Sequence, residues 1–126
     1  MDLRQQIDFW LESSKEDLDA AEALFNNRKF RHALFFAHLA VEKILKAHVT
    51  KASENLPPRT HDLLRLVNLT GLTISELQHI VLAQLQQYCL EGRYPDFQPV
   101  ALNKQETQKE LEEARSIHSW LANQLK

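Results

Sequence analysis

Only two glycines and four prolines occur in the 126 residues, and all of them fall between segments of helical periodicity rather than inside them. Glycine and proline are the residues that most disfavour a helix interior, so the runs between them are free to wind. Within those runs apolar residues recur three and four positions apart, and no strand-like alternation of apolar and polar residues persists. The sequence therefore predicts an all-α, up-and-down bundle of four longer helices and one short one. At this length, one domain over residues 1–126 can bury a sizeable core.

The first helix is expected from about Leu3 to Phe25, with Ile7, Trp10, Leu11, Leu18, Ala21, Leu24 and Phe25 on one side. "NNRK" breaks it. A second helix runs from about Phe30 to Val49, ended by the proline-bearing "KASENLPPR". A short third, "HDLLRLVNL", takes Thr60 as its cap and Gly71 as its stop. Thr73 and Glu76 have capping-box spacing for a fourth, whose apolar stripe is Ile74, Leu77, Val81, Leu85 and Tyr88 and whose stop is Gly92. "RYPDFQPV" reads as an extended link, because Pro95 and Pro99 bias Tyr94 and Gln98 away from helix. The last helix opens at Asn103, with Glu106 three residues on.

A net charge of −2 and a pI near 6.3 argue against a broadly basic nucleic-acid surface, though a local basic pocket stays open. Cys89 is the only cysteine, so no intramolecular disulfide can form, which suits a reducing cytoplasm. No apolar run approaches the roughly 20 residues that span a bilayer, and "MDLRQQIDFW" lacks the order of a signal peptide. A cytoplasmic protein is the expectation. No glycine-rich phosphate loop, HExxH or zinc-spaced Cys/His cluster is present, so neither metal nor cofactor is expected. His32, His48, His79 and His118 read as surface or packed residues, and Trp10 and Trp120 as core or interface anchors.

The second helix carries most of the information. Phe30, Leu34, Ala37, Val41, Leu45 and His48 form one broad apolar face. Ala33, Ala40 and Ala47, seven apart and flanked by Phe36, form a row of small residues that another helix could approach closely. Two apolar sides suggest packing on two sides, the second against the rest of the bundle or a second copy, and a homodimer is expected. Bordering the apolar face, Arg31, His38, Glu42 and Lys46 share one polar stripe. A Glu four residues before a Lys is a helical ion pair worth only ~0.2–0.5 kcal/mol, but on a mostly buried helix a charged pair needs further partners. His61, at the start of the third helix, and Arg93, beside Pro95, are the candidates.

Taken together, "DLDAAEALF" after Trp10, "FRHALFFAHLAVEKILKAH", "PPRTHDLLRL", "YCLEGRYPDF" and the final "ARSIHSWL" resemble the HEPN domains (higher eukaryotes and prokaryotes nucleotide-binding) over about residues 8–121. The Glu–Lys spacing in "VEKILKA", the "THDL" and the "RYPD" are the most specific parts. The resemblance implies a five-helix bundle on a four-helix up-down core, commonly dimeric. It also implies association with minimal nucleotidyltransferases in toxin–antitoxin-like pairs, and a nucleotide-binding role. The ligand site it suggests here comprises His38, Glu42, Lys46, His61, Arg93 and Tyr94.

Some branches of this superfamily are metal-independent RNases with an arginine and a histidine separated by four to six residues, and Arg31 and His38 are separated by six. In that reading His38 is general base or acid at a ribose 2′-hydroxyl and Arg31 stabilises phosphate charge. Those branches usually carry the motif in a later helix. Three readings follow: a non-catalytic binding module, which is preferred, an endoribonuclease toxin, and a structural dimer whose polar ladder only fixes the fold.

Overall fold

A computed structural model describes residues 2–89 and 102–126 of the chain. Every regular element among them is helical: α1 Leu3–Asn26, α2 Phe30–Ser53, α3 Leu63–Thr70, α4 Glu76–Gln86 and α5 Lys104–Gln124. A single 3₁₀ turn, Gln87–Cys89, extends α4. None of these helices is long and apolar enough to cross a membrane.

Local chemistry sets the boundaries. Asp2 and Gln5 form a reciprocal capping box at the start of α1. Arg28, at φ 61°, makes the left-handed turn into α2. That helix runs one turn past Val49, to Ser53, because nothing before Glu54 breaks it; Glu54 itself is left-handed at φ 58°. Two caps differ from the sequence reading. The cap of α3 is Asp62, whose carboxylate accepts the Arg65 N–H at 3.3 Å, rather than Thr60. The box that opens α4 is Ser75 with Gln78, not Thr73 with Glu76. Glutamine serves the box as well as glutamate, and it frees Thr73 and Ile74 for the link from α3. Gly71 ends α3 at φ 76°, a conformation that costs glycine little. Asn103 caps α5 by accepting the Glu106 N–H at 2.7 Å. The stop expected at Gly92 lies outside the described residues.

The second helix is central. It packs against all the others, most extensively along α1. Leu34, Val41, Ile44 and Leu45 bury their side chains fully, with Leu63 and Leu66 of α3, Leu82 of α4 and Leu121 of α5 in the same core. Lys43 marks the side facing α1, where it pairs with Asp17 at 2.8 Å and donates to Ser13 at 2.9 Å. His48 marks the side facing α5, donating from Nε2 to the Leu121 carbonyl at 2.8 Å. Ala33, Ala40 and Ala47 fall between those two sides and are completely buried within the single chain. The small-residue row therefore admits helices of the same chain, and offers no surface to a second copy. A buried hydrogen bond at 2.9 Å between Ser14 and His118 ties α1 to α5 as well.

Candidate functional site

The polar stripe of α2 lies on the flank opposite the alanine row, beneath the start of α3. His38, Glu42 and Lys46 are one turn apart, so their side chains stack along the helix. All three are buried, Glu42 to 3% exposure. A carboxylate that deep requires partners, and it has two. Lys46 donates to Oε2 at 2.8 Å, while His61 Nδ1 lies 2.9 Å from Oε1. Because a carboxylate accepts, the His61 proton there sits on Nδ1, and Nε2 is left over on a side chain that is 59% exposed.

His61 is engaged twice. Its backbone carbonyl accepts from His38 Nε2 at 3.1 Å, which fixes the proton of His38 on Nε2. The other ring nitrogen, Nδ1, is 3.9 Å from Glu42 Oε1, too far for a hydrogen bond. Burial lowers the His38 pKa below the usual histidine value. The Glu42 carboxylate and the hydrogen-bonding groups of His61 and Gln86 oppose that shift without overcoming it. His38 is therefore a neutral imidazole that anchors the start of α3 to α2. Gln86 also accepts the Leu63 N–H at 2.7 Å, drawing α4 into the same corner.

Trp10 completes the cluster from α1, its ring centroid 5.5 Å from Lys46 Nζ. An ammonium over an indole face is a favourable pairing that leaves the N–H groups free. Sequence reasoning treats Trp10 as an anchor and leaves Gln86 out. Periodicity cannot foresee either contact, because it reports the face a residue occupies and not which helix crosses it.

The structure thus brings together His38, Glu42, Lys46 and His61. Arg93 and Tyr94 lie outside the described residues. Arg31 is half-buried on α2, about 10 Å along the axis from His38, and shares neither a hydrogen bond nor an ion pair with it. Among the described residues no group of three or more His, Cys, Asp or Glu side chains is placed to hold a metal ion. His48 and His118 are buried, and His32 and His79 are exposed.

These features define an all-α bundle whose central helix carries a carboxylate-centred polar cluster on its flank. The HEPN domain family profile matches residues 7–125, and the chain belongs to that family. Its fold is shared by TT1696 from Thermus thermophilus, which is 22% identical over 94% of this chain and 97% of that one, with a TM-score of 0.80. It is shared also by ST0689, an archaeal HEPN homologue, 19% identical over 95% and 98% of the two chains, with a TM-score of 0.74. No curated protein matches the chain.

Proposed function

We propose that the chain is a non-catalytic HEPN binding module that works as a dimer and holds a nucleotide, or another phosphate-bearing ligand, at the His61 edge of the polar cluster. Hydrogen-bonding capacity left over at that edge, donors on Lys46 and an acceptor on His61, carries the reading. Lys46 has three N–H donors and gives one to Glu42. His61 keeps Nε2 on an exposed ring, while its Nδ1–H is held by the carboxylate. The Lys46 ammonium suits a phosphate oxygen, to which charge-assisted hydrogen bonds are strong, and the His61 Nε2 lone pair suits a donor such as a ribose hydroxyl. Arg93 and Tyr94 belong to the same proposed site through the family resemblance. So does a minimal nucleotidyltransferase partner in a toxin–antitoxin-like pair.

The endoribonuclease reading finds less support. A general acid or base must reach the proton it transfers, and His38 is fully buried with its Nε2–H bonded to a backbone carbonyl. The test is a thermal-shift series with nucleoside mono-, di- and triphosphates, run beside an RNA cleavage assay. Wild type should be stabilised by a nucleotide, and His61→Ala and Arg93→Ala should lose that response while staying folded. If no nucleotide moves the melting temperature, the cluster is a structural network. RNA cleavage abolished by His38→Gln would establish the enzyme instead.

A further inference from the structure

The His61 side chain is more than half exposed, yet the residue is held at two points. Its backbone carbonyl accepts from His38 Nε2 at 3.1 Å, and its ring Nδ1 meets Glu42 Oε1 at 2.9 Å. Neither neighbour on α2 supplies the proton for that second contact. The His38 proton is spent on the carbonyl, so His38 Nδ1, 3.9 Å from Oε1, carries a lone pair and cannot donate. Lys46 is bonded to the other oxygen, Oε2, at 2.8 Å. Glu42 is almost wholly buried, and an acceptor left without a donor at that depth is costly. The proton between Glu42 and His61 therefore sits on Nδ1, and a neutral imidazole has no second one to place on Nε2.

We infer that Glu42 is a positioning residue that locks His61 in its Nδ1–H tautomer, so that the exposed Nε2 reads a hydroxyl on the sugar of the bound ligand. The inference rests on the proposed nucleotide site and narrows its ligand to ribonucleotides. Lys46 and His61 take the two oxygens of one carboxylate, so an ammonium donor and an imidazole acceptor stand side by side. An ionised phosphate monoester offers acceptors alone. It satisfies the ammonium but meets the Nε2 lone pair with a lone pair of its own. The ribose, a few bonds from its phosphate, supplies the missing donor. Because His61 is tied through both its carbonyl and its ring, the acceptor is oriented before the ligand arrives, which removes part of the ordering cost of binding.

Two measurements on the full chain test the assignment. Ring nitrogen shifts of His61, read at pH 8 by NMR of the nitrogen-15-labelled protein, should show a protonated Nδ1 and a bare Nε2. In Glu42→Gln the amide oxygen is needed by Lys46 and the amide NH₂ faces His61, so the proton should move to Nε2. In calorimetric titrations of wild type, every ribonucleoside 5′-monophosphate that binds should do so about three- to tenfold more tightly than its 2′,3′-dideoxy counterpart. The factor is modest because water can replace a lost hydroxyl at an exposed ring. Glu42→Gln should bind both members of a pair alike. A wild-type His61 with its proton on Nε2, equal affinities within the wild-type pairs, or a preference kept by Glu42→Gln overturns the inference while the nucleotide site stands. If no monophosphate binds, the inference and the proposed site fall together. Should Glu42→Gln fail to fold, the wild-type spectrum and titrations still decide.

Discussion

Glu42 accepts from Lys46 and His61 at once, so replacing it exposes what each contact contributes. Glu42→Ala would leave the Lys46 ammonium almost buried with only the Trp10 ring beside it. Removing one member of a buried pair typically costs about 3–5 kcal/mol, and denaturant unfolding should show a loss of that size. Lys46→Met, which keeps the packing stem, should cost less if His61 still satisfies the carboxylate. The buried histidines set a pH dependence. Burial lowers the pKa of His38, of His48 and of His118, and Lys51 and Lys15 push the last two the same way. Above the unfolded value near 6.5 all three are neutral in both states, and their hydrogen bonds stabilise the fold fully. As pH falls through 6.5 toward the lower folded values, the unfolded chain takes up protons first and stability drains away. The melting temperature should fall between pH 7 and pH 5, and His118→Gln should fall less steeply. An equal slope for variant and wild type would remove His118 from that account.

At the scale of the element, start signals and buried rows differ in how far sequence exposes them. Helix order, the Gly71 stop and the Asn103 cap were legible because each depends on residues close in the chain. The start of α4 was less so, since Thr73–Glu76 and Ser75–Gln78 both have the required spacing and only the path of the chain from α3 selects one. Ser75→Ala should therefore cost about 1 kcal/mol, and Thr73→Ala almost nothing, as read by chemical denaturation. A larger loss at Thr73 would reverse the assignment. The alanine row of α2 was legible as a site of close approach but not as to which helix approaches. Ala40 is fully buried between the sides marked by α1 and α5, so Ala40→Leu should cost about 1–3 kcal/mol through overpacking. Association measured while the variant remains folded should not change.

For the whole molecule, the sequence carried the bundle and four of the residues that meet in the polar cluster, because all but His61 lie on one helix at one-turn spacing. It did not carry Trp10 or Gln86, whose positions depend on crossings between distant segments. Nor did it orient α4: its expected apolar stripe includes Leu77, which is 69% exposed, and leaves out Leu82, which is fully buried. The position of α2 also dictates the order in which the protein can come apart. Every other helix rests on it, so no partial opening can free its amides while the remaining helices stay in place. Native-state hydrogen exchange should find the middle of α2 protected to the full free energy of unfolding, whereas amides of α4 exchange through a smaller, local opening. The strip that carries Glu42 would then be the last part of the molecule to let solvent in.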